Sequence, residues 1–318
     1  MRALVWDGAR LELRPDHPRP ALPEGWARLR LRCAGICSTD QQILQGYMGF
    51  RGVPGHELVA EVSEGPAAWL GRRVTVEINF ACGACPACAR GLGRHCPRRT
   101  VLGILGQDGA FAEELVAPLA NLHAVPDHVP DEEAVFTEPL AAAFEVLEQV
   151  HVPPGSRALV LGDGKLGQLC ARVLALSGAR VRLAGRHADK LALAAAAGLE
   201  TALAAELEPA PEWDLVVEAT GSPAGLRQAM ELVRPRGTLV LKSTVAADHA
   251  LSLAPLVINE VTVIGSRCGP FAPALRALAE GRVPSLGCLV HGDFPLEQGA
   301  AAFARAREPG TLKVLLRP

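Results

Sequence analysis

The chain has 318 residues, too many for one ordinary core and enough for two domains of common size. Its composition, 49% hydrophobic and 21% charged, supplies ample apolar material to bury and excludes a disordered chain. A formal net charge of -2, with no long Lys/Arg run, excludes an electrostatic footprint for nucleic acid or anionic lipid and leaves a small molecule as the expected partner.

The opening segment MRALVWDGARLELRPD lacks the apolar core of a signal peptide, and no apolar stretch approaches the roughly 18 residues that span a bilayer. A cytoplasmic location without membrane contact is expected. Nine cysteines in a chain that can build its own core point to metal ligands or catalytic thiols rather than disulfides.

Up to about residue 135, Gly and Pro are frequent, and short β-branched segments such as LVAEV (58–62) and GRRVTVEI (71–78) stand between turns, which predicts mostly strands. EEAVFTEPLAAAFEVLEQV (132–150) then turns to Ala/Leu helical periodicity. RALVL (157–161) reads as a buried strand followed at once by GDGKLG. Leu166, Leu169, Cys170, Val173 and Leu174 recur at helical spacing until Gly178 stops the run.

A second strand, RVRLAG (180–185), precedes an Ala-rich helix (188–198). DLVVEATGS (214–222), a helix near GLRQAMELV (225–233), and strands in GTLVLKS (237–243) and VTVIGS (261–266) follow. Alternation of this kind implies an α/β fold with a parallel sheet covered by helices on both faces. The tail beyond about Cys268 ends in a strand-like segment expected to rejoin the first domain.

Cys82, Cys85, Cys88 and Cys96 lie in one short loop with Pro97 directly after. The first spacings also fit a bacterial iron–sulfur run, but a two-cluster ferredoxin needs a second cysteine run and the chain has none. Four thiolates at about 2.3 Å close a tetrahedral shell around Zn2+ and leave no vertex for a substrate, so a structural zinc is expected. With four thiols present, His95 reads as a surface residue.

Three separate stretches, GICSTD (35–40), PGHELV (54–59) and FTEPLA (136–141), are weak signals singly. Together, Cys37, His56 and a carboxylate offer the S, N and O donors that a catalytic zinc takes with one position open. One thiolate and one carboxylate neutralise Zn2+, whereas Cys37 with both Glu57 and Glu138 leaves the centre negative and a poorer Lewis acid. Glu57 and Glu138 are therefore not expected to hold the metal equally at every stage.

At these residues the chain resembles the medium-chain dehydrogenase/reductase superfamily, in its zinc-dependent alcohol and polyol dehydrogenase branch, and it looks like the sorbitol, threonine and glucose dehydrogenase members. The matching landmarks run nearly end to end: GICSTD, PGHE, the four-cysteine loop, GAFAEELVAP, TEPLA, GDGKLG, EATGS and GTLKVLL. The resemblance implies a GroES-like, mostly-β catalytic domain over 1–138 and 269–318, and a Rossmann doubly wound sheet over 139–268. It also implies that Cys37, His56 and Glu57 bind catalytic zinc, that Glu138 stands where other members supply a Cys or Glu, that Thr39 passes the substrate proton outward, and that Asp40 orients the ligands. Gln42 stands where many relatives have a relay His, and the stretch between Cys37 and His56 is short for the family.

Gly162, Gly164 and Gly167 sit between a strand and a helix, with a second strand ending about 20 residues on, the arrangement of a dinucleotide fingerprint. Such glycines permit a tight turn and close approach of a pyrophosphate to the helix N-terminus, where Lys165 and Leu166 open the helix. The second strand ends in Gly185, Arg186 and His187 without the acidic residue of an NAD site, so Arg186 is expected to take a 2′-phosphate and NADP to be preferred over NAD; an exposed loop Arg is the alternative. Lys313 matches a basic residue that contacts cofactor phosphates in some relatives, or is a surface lysine.

The expected activity is zinc-dependent hydride transfer between an alcohol (polyol, sugar or amino alcohol) and NAD(P), with two Zn2+ per chain. A zinc-free quinone or enone reductase of the same fold, and a non-catalytic zinc-stapled cofactor-binding protein, are the rivals. The assembly is expected to be a homo-dimer or homo-tetramer, with the apolar VTVIGS strand as a pairing edge.

Overall fold

In the computed structural model, residues 1–244, 250–284 and 286–318 are described. They form two units: Met1–Glu138 with Ala274–Glu280 and the C-terminal segment to Pro318, and Pro139–Pro273 with Gly281–Pro284.

The first unit opens with the antiparallel pair β1 (Ala3–Trp6) and β2 (Leu11–Arg14). Its long strand is β3 (Trp26–Ile36), in which Ala27, Leu29, Leu31 and Cys33 are buried while Arg30 and Arg32 face solvent. That period of two is what a half-buried strand requires. The strand runs almost directly into α1 (Ser38–Ile43), and β4 (Glu57–Glu64) returns antiparallel along β3. β5 (Arg73–Val76) extends this sheet, and β6 (Asn79–Phe80) leads into the four-cysteine loop with its one-turn helix α2 (Pro86–Ala89). β7 (Thr100–Leu102) and β8 (Gly106–Gln107) complete a small sheet with β6. β9 (Glu114–Pro118), β10 (Leu122–Ala124) and α3 (Asp131–Ala134) follow.

After α4 (Thr137–Gln149), the second unit alternates strand and helix: β11 (Arg157–Leu161), α5 (Lys165–Ala175), β12 (Arg180–Gly185), α6 (Ala188–Ala196), β13 (Glu200–Leu203), β14 (Trp213–Glu218), α7 (Pro223–Leu232), β15 (Val233–Leu241), α8 (Ala254–Ile258) and β16 (Thr262–Gly265). These strands form one wholly parallel sheet in the order β13-β12-β11-β14-β15-β16. The order reverses between β11 and β14, which makes a topological switch point. β11 shows why the centre is apolar throughout: Ala158, Leu159, Val160 and Leu161 are all fully buried, as a parallel strand covered on both faces demands. The expected doubly wound parallel sheet and mostly-strand domain are both present.

Beyond α9 (Phe271–Ala279), the chain forms β17 (Val290–Pro295), α10 (Gly299–Arg307) and β18 (Lys313–Arg317). β18 pairs antiparallel with β3, so the last strand lies on the opposite side of β3 from β4.

Candidate active site and cofactor loop

Strand pairing assembles the dispersed ligands. Gly35, near the end of β3, is opposite Glu57 at the start of β4, which brings His56 and Glu57 alongside Cys37. The donor atoms of Cys37, His56 and Glu57 all lie within 4.8 Å of one another, with His56 and Glu57 buried. Asp40 holds this arrangement from α1. One of its carboxylate oxygens accepts the Cys37 N–H at 2.7 Å. The other accepts the Gly55 N–H at 3.2 Å and lies 3.2 Å from His56 Nδ1. Asp40 is fully buried, so its charge acts on these groups with little water between. Burial alone pushes the His56 imidazole down, but Asp40 and Cys37 outweigh it and hold the ring well above its ordinary 6.5. Thr39 places its hydroxyl 3.8 Å from the Cys37 sulfur.

Thiolate, imidazole and carboxylate turned toward one buried point suit a divalent zinc ion. Glu138, buried in the first turn of α4, is not part of this group, so the structure brings together three of the four expected donors.

Lys313 is not a surface residue. It is fully buried, its ammonium is paired with the Glu57 carboxylate, and it lies 5.1 Å from the centre of the Phe136 ring. The reason is topological. β18 and β4 flank β3, and Gly35 between them has no side chain to intervene: a Cβ there falls 2.7 Å from Glu57 Oε2 and 3.1 Å from Lys313 Nζ. Burial pushes the ammonium down to about 8 against the pull of Cys37 and Asp40.

The cysteine loop forms the second cluster. Cys85 is 3.5 Å from Cys88 and 3.7 Å from Cys96, and Cys82 is 4.0 Å from Cys88, sulfur to sulfur. A tetrahedron of sulfurs around zinc has edges of about 3.8 Å, from a bond length of about 2.3 Å. All four sulfurs lie within 4.8 Å of one another, so the cage fits zinc with no vertex left over. The Ala84 N–H and the Cys96 and Cys85 thiols draw the exposed Cys82 down to about 6, the direction a metal-binding thiolate needs.

In the second unit, β11 ends in the glycine loop. A Cβ on Gly167 falls 1.8 Å from the Gly162 carbonyl oxygen, so this close helix–strand approach requires glycine. Gly164 caps α5, with Lys165 and Leu166 in its first turn, and the helix N-terminus favours anions. β12 ends at Gly185 and runs into Arg186 and His187 with no acidic residue of its own, but Asp163, inside the glycine loop, brings a carboxylate to this turn. It is buried, and one of its oxygens accepts the N–H groups of Arg186 at 2.6 Å and His187 at 2.7 Å. Both oxygens lie 3.0 Å from His187 Nδ1. The only signal was its identity as a variable position of the motif. Arg186 sits in this turn as expected.

Residues 23–127 match the alcohol dehydrogenase GroES-like domain family, and residues 166–280 match the zinc-binding dehydrogenase family. The chain is similar to a D-altritol 5-dehydrogenase of Agrobacterium fabrum, 31% identical over 93% of this chain and 94% of that protein. It is also similar to a sorbitol dehydrogenase of Halalkalibacterium halodurans, 27% identical over 95% and 94% of the two chains. Among solved structures, an alcohol dehydrogenase from Thermus sp. ATN1 superposes with a TM-score of 0.90 at 28% identity, covering 100% of this chain and 99% of its own.

Proposed function

This chain belongs to the zinc-dependent alcohol and polyol dehydrogenase branch of the medium-chain dehydrogenase/reductase superfamily, and from that membership we propose a polyol or sugar alcohol as its substrate. It is an oxidoreductase that transfers a hydride between an alcohol and a nicotinamide dinucleotide. The polyol reading is supported by the altritol and sorbitol dehydrogenases it resembles.

Within the first unit, Cys37, His56 and Glu57 are the proposed ligands of catalytic zinc, and Cys82, Cys85, Cys88 and Cys96 those of structural zinc. The observation that carries the reading is the convergence of Cys37, His56 and Glu57 within 4.8 Å. A zinc ion in such a site supplies Lewis-acid polarisation of an alcohol oxygen, and the nicotinamide ring accepts or returns the hydride. Asp40 fixes the His56 ring and the Cys37 backbone; Thr39, beside the Cys37 sulfur, is the proposed exit for the alcohol proton. Glu138, two residues beyond the Phe136 ring that faces Lys313, stays outside the donor group and is the proposed alternative carboxylate at another stage. Lys313, paired with Glu57, is assigned here to the metal site rather than to cofactor phosphates.

The second unit is the proposed dinucleotide domain, with the pyrophosphate on Gly162, Gly164, Lys165, Leu166 and Gly167. NADP is the proposed preference. Arg186 presents a guanidinium at the end of β12, and the Asp163 charge beneath it is occupied by two backbone N–H groups and His187. We place the enzyme in the cytoplasm, since its nine cysteines are unbridged, and among the described residues no helix is long and apolar enough to cross a membrane. A homo-dimer or homo-tetramer is proposed through β16, which ends its sheet and stands near Leu253, Val257 and Ile258 in sequence, all exposed, with Val263 exposed on the strand itself.

A panel of polyols, sugars, amino alcohols and simple alcohols, assayed with NAD and NADP separately on zinc-replete protein, tests the reading. Turnover of a polyol that disappears on zinc removal and returns on zinc addition is expected. Turnover of quinones or enones that is indifferent to zinc overturns it.

A further inference from the structure

Lys242 follows β15 directly, and its side chain is buried in the second unit. Its ammonium donates to Ala142 O on α4 at 2.7 Å, to Arg267 O at 2.9 Å and to Ser266 Oγ at 3.2 Å. Lysine has three N–H donors, and these acceptors account for all of them. The Lys242 backbone N–H adds a bond to Glu218 O, at the end of β14, at 2.9 Å. One residue thus ties the ends of β14, β15 and β16 to α4.

An ammonium taken out of water carries a desolvation cost, and an apolar side chain of equal length fills the same space without it. What the ammonium adds is direction. Three fixed acceptors determine where the backbone at Ser266 and Arg267 leaves the sheet. In an open doubly wound sheet, a dinucleotide lies beyond the carboxyl ends of the strands, with one mononucleotide on each side of the switch point. The Arg186 turn follows β12, on the adenosine side. The nicotinamide half therefore falls beyond β14, β15 and β16, where Lys242 makes its bonds.

We propose that Lys242 is a positioning residue for the nicotinamide half of the cofactor, acting through the Ser266–Arg267 backbone. This rests on the reading of the second unit as the dinucleotide domain. The test compares two ligands by calorimetry on zinc-replete protein. One is NADH or NADPH, whichever the wild type binds more tightly; the other is the matching ADP-ribose or 2′-phospho-ADP-ribose, which lacks the nicotinamide ring.

Lys242→Met is expected to weaken the reduced cofactor about tenfold, the effect of losing a charged hydrogen bond, with the ring-less ligand unchanged and with part of the loss restored in Lys242→Arg. Unchanged binding of the reduced cofactor, or equal weakening of both ligands, overturns the proposal. A wild type that binds neither ligand overturns the dinucleotide reading and the proposal with it. If Lys242→Met does not fold, Ser266→Ala removes one acceptor and keeps the ammonium. It is expected to weaken the reduced cofactor several-fold without touching the ring-less ligand, and equal behaviour toward both overturns the proposal.

Discussion

The Asp40 carboxylate lies 3.2 Å from Nδ1 of His56 while it accepts the N–H of Cys37 at 2.7 Å, so a single buried charge fixes both a nitrogen and a sulfur donor. Asp40→Asn keeps the shape and removes the charge. A carboxylate behind a ligating histidine raises the basicity of the ring, and its loss typically weakens metal binding by about 10–100-fold. Zinc affinity at this site, measured by chelator competition, is expected to fall by that factor, with a parallel loss of turnover. Unchanged affinity would remove Asp40 from the account.

Glu57 and Lys313 form a fully buried ion pair. Removing one partner of such a pair strands a charge in low dielectric at about 3–5 kcal/mol, whereas replacing both with apolar or neutral groups of similar volume is far milder. In metal-free protein, Lys313→Met is expected to destabilise by that amount, and Lys313→Met with Glu57→Gln to recover most of it. Denaturant midpoints of the four proteins in the cycle measure the coupling. Additive losses would show that the two charges do not depend on each other.

The two metal clusters separate by variant. Cys96→Ser opens the sulfur cage and is expected to lower both the zinc content, by one ion per chain, and the thermal midpoint, because a structural site contributes its binding energy to folding. Cys37→Ser is expected to lower the zinc content equally and abolish turnover while moving the midpoint little. Elemental analysis with calorimetric unfolding distinguishes the two, and a collapse of stability in Cys37→Ser would contradict the division of roles.

Much of this was legible because some signals are local. The cysteine cage falls within one loop, and the glycine loop carries its own strand and helix on either side, so spacing alone encodes both. The Cys37 and His56 stretches were legible only as motifs, since nothing in their spacing says that β3 and β4 pair with Gly35 opposite Glu57. Lys313 was unreadable for the same reason carried further: it reaches Glu57 through β18 pairing on the far side of β3. Asp163 was hidden in a position that the glycine pattern leaves open, and its partners lie at the end of another strand. β13, a short edge strand reading Glu-Thr-Ala-Leu, has one β-branched residue and no fully buried face, so its pairing with β12 defines it more than its composition.

Arg186 has a sharper test than its place in the turn. If its guanidinium meets a 2′-phosphate, Arg186→Ala is expected to lower the ratio of NADP to NAD efficiency on the order of tenfold or more, the scale of a charge-assisted hydrogen bond. NAD efficiency itself changes little. A ratio that does not move returns Arg186 to the solvent.

Asp163 links the glycine loop to the β12 turn through charge, and that link depends on pH. Burial raises its carboxyl pKa, but the His187 side chain and the N–H groups of His187 and Arg186 outweigh burial and hold it below the ordinary 3.8. A carboxyl whose folded pKa is depressed contributes stability that is present above 3.8 and lost as pH falls through the folded value. In Asp163→Asn this contribution is absent at every pH. The variant is therefore expected to be less stable than wild type near neutrality, with the gap closing as the medium is acidified below about 3.8, the ordinary carboxyl value. Unfolding midpoints of both proteins across pH 2–7 measure the gap. A gap that stays constant through the acid range would mean that the carboxyl makes no charge-dependent bond with the turn.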